Sequence, residues 1–258
     1  MLTLASWNVN SLRVRLPQVL DWLAANQPDL VGLQETKLQD EHFPLAELNA
    51  AGYNAVANGQ KTYNGVALLS RQPLQAEEVT RELPDFEDPQ RRVLAATYGD
   101  LRFINLYVPN GAEPGSDKFR YKLDWFDALT AYLQQQRQLY PNLVVVGDFN
   151  IAPEDRDVHD PQIWQGSVLV SEPERAKFRQ LLALGFKDSF RLFDQSEGAY
   201  TWWDYRAAAF RRNRGLRIDH ILVSNNLADR VMGSTIDTAP RKLERPSDHA
   251  PVVATIQL

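Results

Sequence analysis

Five short stretches of this chain set acids, amides or a histidine at the edge of an apolar run: Ser6-Trp7-Asn8-Val9-Asn10, Leu33-Gln34-Glu35-Thr36, Val146-Gly147-Asp148-Phe149-Asn150, Leu216-Arg217-Ile218-Asp219-His220 and Ser247-Asp248-His249-Ala250. The third closes a run from Leu143 that reads as a short buried strand of β-branched residues, stopping at Gly147 and delivering Asp148 and Asn150 into a loop. Gly-Asp is also a common turn pair, so that stretch alone admits a purely structural account. The repetition points to a site. Metal-assisted phosphoryl transfer needs oxyanions and a cation held from several directions by rigid elements, and polar groups at several strand ends supply that.

Glu35 is the leading candidate metal ligand. Beside Gln34, with Asn8 and Asn10 from the first strand, it offers the all-oxygen surroundings that Mg²⁺ prefers alongside several waters. His249 directly follows Asp248 and is one of four histidines. Paired with a carboxylate, for which Asp219 is the expected partner, it can stay protonated near neutral pH and hold a phosphate oxygen or shuttle a proton. A satisfied structural histidine is the rival reading, and it is the default for His42, His159 and His220. The segment Tyr200 to Arg217 interleaves aromatics with five arginines, Arg206, Arg211, Arg212, Arg214 and Arg217, and a single acid. Arginines bind phosphates and aromatic faces stack on bases, so the segment carries a nucleic-acid signature. A core tryptophan pair with solvated arginines is the alternative.

The elements that must position these groups alternate early between strand and helix. Residues 2–7 alternate as a strand, 14–25 place Leu16, Val19, Leu20 and Leu23 on one helical face, and 29–34 form the next strand. A short helix over 44–48 and a strand over 65–70 follow, then an acidic, proline-broken loop over 82–89 read as a solvated connection. Strands over 92–98 and 101–107 make a hairpin across Gly99-Asp100. A long helix repeats Phe119, Leu123, Phe126, Leu129 and Leu133, and its opening carries Lys118, Arg120 and Lys122 at the end closest to Tyr107, counted as candidate DNA contacts. Residues 153–170 lack periodicity and read as a functional or variable loop, whereas Ser171-Glu172-Pro173-Glu174 is a capping-box start for a helix that Gly185 ends. Strands are expected over 216–223 and 251–256. Strands outnumber helices and several are joined by hairpins, so the expected class is α/β (α+β), with two mostly antiparallel sheets packed face to face and helices outside.

Composition narrows the classes further. With 44% hydrophobic and 24% charged residues among 258, the chain can bury a large core, and without a linker-like tract one domain over 1–258 is expected. Cysteine is absent, which excludes disulfides and thiolate metal sites. The first residues lack a basic region and run straight into strand-like sequence, and no apolar run approaches the roughly 20 residues that span a bilayer. Neither a signal peptide nor a membrane partner is expected. A net charge of −5 argues against a passive nucleic-acid coat.

Seven motifs, in order along essentially the whole chain, resemble those of the exonuclease III and abasic-site endonuclease family: Ser6-Trp7-Asn8-Val9-Asn10, Leu33-Gln34-Glu35-Thr36-Lys37, Tyr107-Val108-Pro109-Asn110-Gly111, Gly147-Asp148-Phe149-Asn150-Ile151, Trp203-Asp204-Tyr205-Arg206, Asn213-Arg214-Gly215-Leu216-Arg217-Ile218-Asp219 and Ser247-Asp248-His249. The resemblance implies a four-layered sandwich and Mg²⁺- or Mn²⁺-dependent cleavage of phosphate esters in double-stranded DNA carrying abasic sites or blocked 3′ ends. It implies 3′-to-5′ exonuclease, abasic-site endonuclease and 3′-phosphatase activities, in a cytoplasmic monomer. Carried over by position, Glu35 would bind the metal with Asn8 and Asn10 close by, and Asp248 would serve a second metal or a supporting role. Asp148, supported by Asn150, would orient and deprotonate the attacking water. His249, oriented by Asp219, would hold the scissile phosphate, and Tyr107 would touch that phosphate or help the leaving group. Trp202, Leu216 and Ile218 would build a small apolar pocket for a flipped-out abasic sugar, with Arg206, Arg211, Arg212 and Arg214 on the DNA. Two departures stand out: Asn10 replaces the Asp of some relatives, weakening a full second metal site, and residues 158–170 with Trp164 match no family pattern. That loop is placed to shift preference between internal abasic sites and 3′ ends. The alternatives are a catalytically silent DNA-binding module, or a phosphatase or esterase on the same scaffold.

Overall fold

The computed structural model describes residues 1–258. Its first half contains β1 (Leu2–Asn8), α1 (Leu12–Asn26), β2 (Leu30–Gln34), α2 (Leu45–Ala50), β3 (Tyr53–Asn58), β4 (Val66–Arg71), β5 (Glu77–Thr80), β6 (Val93–Tyr98), β7 (Leu101–Tyr107) and α3 (Asp117–Leu139). The second half adds β8 (Leu143–Asp148), α4 (Pro161–Trp164), α5 (Glu172–Ala183), β9 (Phe186–Asp188), β10 (Trp202–Trp203), β11 (Gly215–Leu216), β12 (Asp219–Ser224), α6 (Asn225–Ala228), β13 (Val231–Ile236) and β14 (Val252–Ile256).

Two six-stranded sheets result, ordered β13-β14-β1-β2-β4-β3 and β5-β6-β7-β8-β12-β9. Only β1/β2 and β7/β8 run parallel; every other neighbouring pair is antiparallel. The expected face-to-face arrangement is present. Leu4, Leu30 and Leu68 of one sheet meet Phe103, Val144 and Val146 of the other in one buried cluster. Alternate residues point outward: Ala5, Val31 and Leu33 pack on Val19, Trp22 and Leu23 of α1, while Ile104, Val145 and Leu222 pack on Phe126 and Leu129 of α3 and Phe178 of α5. Helix, sheet, sheet, helix is therefore the layer order. It explains why Leu143 to Val146 is apolar at every position: both faces of the strand are covered.

A polar bridge crosses the inter-sheet core near its functional end. Asn105 of β7 donates to the carbonyls of Leu33 and Ala67, 2.9 Å each, while Gln34 donates to Asn105 at 2.7 Å and to Ser6 at 3.0 Å. Gly147 allows β7 and β8 to come together there. Its φ is +157°, and a β-carbon would lie 2.1 Å from the Leu106 carbonyl oxygen.

The four edge strands, β3, β13, β5 and β9, are the ones the sequence pattern does not announce, because an edge buries its residues only partly and loses the clean alternation. The strand expected over 216–223 divides. Leu216 pairs with Trp202, the chain swerves so that the Arg217 amide donates to the Asp157 carbonyl, and pairing with β8 begins at Asp219. No helix is long and apolar enough to cross a membrane.

Candidate active site

The parallel pairs put the C-terminal ends of β1, β2, β7 and β8 side by side, and the antiparallel register of Asp219 with Asp148 brings the start of β12 to the same edge. Asn8, Glu35, Tyr107 and Asp148 thus end four strands, and His249 arrives on the segment before β14. One carboxylate oxygen each from Glu35 and Asp148 and one His249 ring nitrogen all lie within 4.8 Å of one another.

Asn8 holds the two acids in register. Its Nδ2 donates to Glu35 Oε1 and to Asp148 Oδ2, 2.9 Å each, and its own Oδ1 accepts from the Asn10 amide. Between two carboxylates the amide must present its N–H₂ group, so Asn8 spaces the acids while its Oδ1 faces the Asn10 amide. Asp148 is closed in further by the Asn150 amide on Oδ1 at 2.9 Å. Burial and then neighbouring Asp219 push its carboxyl up to about 7, against the pull of His249. His249 donates from Nδ1 to Asp219 Oδ2 at 2.8 Å and turns Nε2 toward Asp148 Oδ2 at 3.6 Å. Burial alone would lower it, but the Asp219 and Asp148 carboxylates overcome that and push it up to about 10. The paired carboxylates therefore favour the charged ring. Trp7 fixes the backbone there through Nε1 to the His249 carbonyl, and Ser247 joins the Asn8 carbonyl to the His249 amide.

Burial works against Glu35, yet the Asn8 hydrogen bond, Lys37 and His249 keep it below the usual glutamate range. Lys37 Nζ stands 3.3 Å from Glu35 Oε2 and donates to Asn10 Oδ1 at 2.8 Å. Burial, Glu35 and Asp148 raise the Tyr107 phenol well above its ordinary value, so it remains a donor, with the Arg92 guanidinium 4.8 Å from its ring centre. Three carboxylates, Glu35, Asp148 and Asp219, meet two cations, His249 and Lys37, while Asp248 to one side has Arg241 nearby. That surplus negative charge, with hard oxygen donors and a partly exposed Glu35, fits a hydrated divalent cation. Glu35, Asp148 and His249 are the residues whose ligand atoms gather closely enough to hold it.

Asn10 and Asp248 sit to one side of this cluster. Asp248 accepts from Asn10 Nδ2 at 3.2 Å and from Trp202 Nε1 at 3.0 Å, so both its oxygens are engaged. Among the expected DNA contacts, Lys118, Arg120, Arg206, Arg211, Arg212 and Arg214 are exposed. Lys122 is not: its side chain is fully buried against Glu174, because it falls three residues after Phe119 and four before Phe126 on the inward face of α3. Leu216 and Ile218 are also buried, in a cluster with Val158, Leu169 and Val170 that is roofed by Trp164 and Trp202, so neither reaches DNA as the chain stands. Arg217 is buried too, between Asp157 and Asp188. His220 keeps the structural role expected of it, with Nε2 2.8 Å from the Ile151 carbonyl oxygen. Lys37 and Arg15 were absent from the expected set. Lys37 is legible as the cation two residues beyond Glu35, whereas nothing in the sequence marks Arg15, which reaches from α1 to the Asn10 carbonyl and the Tyr205 hydroxyl.

A model of the endonuclease/exonuclease/phosphatase family matches residues 5–249. The exodeoxyribonuclease III of Haemophilus influenzae is 38% identical, aligned over 96% of this chain and 97% of its own. Among solved structures, a Neisseria 3′ phosphatase, NExo, bound to a product DNA hairpin superposes with a TM-score of 0.97 at 48% identity, covering 100% of both chains. An AP endonuclease from Archaeoglobus fulgidus gives 0.95 at 38% identity, again over 100% of both. Together with the motifs and the layered sheets, these likenesses mean that the chain belongs to the endonuclease/exonuclease/phosphatase family, in the group of exodeoxyribonuclease III and the AP endonucleases.

Proposed function

We propose that this protein is a DNA repair nuclease, a single domain that hydrolyses phosphodiesters and 3′ phosphate esters in double-stranded DNA, including the bond 5′ to an abasic site, with Mg²⁺ or Mn²⁺. The observation that carries the reading is the convergence of Glu35, Asp148 and His249, drawn from two strand ends and the segment before β14 to within 4.8 Å.

Asp148 accepts the proton of the attacking water. Its carboxyl, raised to about 7, is matched to that task near neutral pH, and Asn8 and Asn150 fix its orientation. His249 presents an N–H and a positive charge to a non-bridging phosphate oxygen, with Asp219 holding the ring. The Tyr107 phenol, kept protonated, donates to the same phosphate. Glu35 would hold the metal, which when bound neutralises the phosphate oxygens and stabilises the leaving 3′ oxygen. Exposed Arg206, Arg211, Arg212 and Arg214 engage phosphates flanking the cut, and Trp202 contacts the sugar at the damaged position.

Duplexes carrying an internal abasic site, a 3′ phosphate or an unmodified 3′ end, incubated with Mg²⁺ or with chelator, test the reading. Metal-dependent cleavage is expected, and Asp148→Asn should lower the rate about 10²- to 10⁴-fold, the usual worth of general-base help. Near-full turnover by Asp148→Asn would overturn the assigned role.

A further inference from the structure

Lys122 and Glu174 form an ion pair with both side chains fully buried. Its hydrogen bonding is saturated. The ammonium has three donors, and they go to Glu174 Oε1, to the Asn150 carbonyl at 2.6 Å and to the Asn110 carbonyl at 3.1 Å. Glu174 accepts four times: from Lys122 and the Leu169 amide (3.0 Å) on Oε1, and from the Ser171 amide (3.2 Å) and hydroxyl on Oε2. Two helices, α3 and α5, thereby grip three loops through one charge pair.

Stability alone does not account for this pair, since buried ion pairs are commonly no better than well-packed apolar residues of similar size. What the pair offers is direction. Asn150 adopts φ +49°, a left-handed backbone that a residue other than glycine keeps only where its surroundings impose it. In that conformation its amide donates to Asp148 Oδ1, its side chain donates to the Val108 carbonyl at 2.8 Å, and its own carbonyl turns back to Lys122. The Lys122 stem also packs beneath Gly111, where a β-carbon would come within 3.0 Å of Lys122 Cδ. On the other side, the Leu169 carbonyl accepts from the Ala152 amide at 2.8 Å, linking the Glu174 loop to the segment just beyond Asn150.

We infer that Lys122 is a positioning residue for hydrolysis: paired with Glu174, it fixes the Asn150 backbone and, through it, the aim of the Asn150 side chain and of Asp148. The inference rests on the proposed nuclease reading. Because it acts by alignment and touches no substrate, its loss lowers kcat with little change in KM; an error near 1 Å in such alignment costs about 10²-fold.

The test is a double-mutant cycle of Lys122→Met in the wild-type and Asn150→Ala backgrounds, measured as single-turnover hydrolysis of a 3′-phosphate duplex at a temperature where thermal unfolding shows each variant folded. Lys122→Met should cost about 10²-fold in the wild-type background and clearly less once the Asn150 side chain is gone, the remainder being what reaches Asp148 through the Asn150 backbone amide. Its Tm decrease should be the same in both backgrounds. Equal rate losses in the two backgrounds, or a folded Lys122→Met with wild-type kcat, would overturn the assignment. Should Lys122→Met fail to fold, Glu174→Gln, which keeps an acceptor for the ammonium but removes the charge, takes its place in the same cycle with the same two outcomes. A wild-type protein that cuts none of the DNA substrates would instead sink the nuclease reading, so the two failures are separable.

Discussion

Arg217 lies in the arginine-rich segment, yet replacing it should damage folding and not DNA binding. The guanidinium donates to Asp157 at 2.7 Å, to Asp188 at 2.7 and 3.3 Å, and lies 3.1 Å from His220 Nδ1, stacked 4.8 Å from the Phe190 ring centre. Arg217→Met leaves two buried carboxylates without this partner, and breaking a buried pair from one side typically costs about 3–5 kcal/mol. At roughly 2–4 °C per kcal/mol for a chain of this size, Tm should fall by about 6–20 °C. The pH dependence has a defined sign. Burial would raise Asp188, but Arg217 above all holds it below the usual range, so its stabilisation is present above about pH 4 and is lost as pH falls through the folded value. Burial and Arg217 hold His220 low, so the unfolded chain takes up a proton first as pH drops below about 6.5, again weakening the wild-type fold in acid. In Arg217→Met, Asp157 keeps Arg191 while Asp188 loses its cation and gains by protonation, so the Tm gap should be widest above pH 7 and narrow below pH 5. Calorimetry across pH reads this directly. A variant within about 2 °C of wild type at neutral pH, or a gap that grows in acid, would refute the reasoning.

Arg212→Met and Arg214→Met should do the reverse, leaving Tm unchanged while each lost phosphate contact lowers the salt slope of duplex binding by about 0.9; anisotropy titrations at several salt concentrations would expose an unchanged slope. Trp202→Ala should impair cutting at abasic sites more than 3′-phosphate removal, and equal losses would count against a sugar-binding role. In Gly147→Ala the new methyl collides with the Leu106 carbonyl 2.1 Å away, so a stability loss of about 1–3 kcal/mol or more is expected. An unmoved urea midpoint would mean that β7 and β8 can part at no cost.

The strand tips were legible because an acid or amide closing a buried apolar run has few structural reasons to be there, which is the position of Glu35 and Asp148 at the ends of β2 and β8. The two-sheet architecture followed from hairpins such as the one across Gly99-Asp100 and from runs apolar at every position. Surface chemistry was harder to read. Arg217 and its exposed neighbours are alike in type, and only the distant acids Asp157 and Asp188 separate them. Lys122 was misread although its signal was present: the spacing of Phe119, Lys122, Phe126, Leu129 and Leu133 puts it on the buried stripe of α3, and the capping-box Glu174 was available as its partner. The burial of Leu216 and Ile218 depends on where the loop around Leu169 settles, and no local pattern encodes that.

The exposed turn at Gly99-Asp100 has a practical consequence. It begins β7, whose other end is Tyr107, so it lies about 20 Å from the reactive centre by strand rise alone. The chain contains no cysteine. Asp100→Cys would therefore introduce a unique thiol on the far rim, where a fluorophore or a surface tether could be attached while the opposite rim stays open for watching single duplexes arrive and leave.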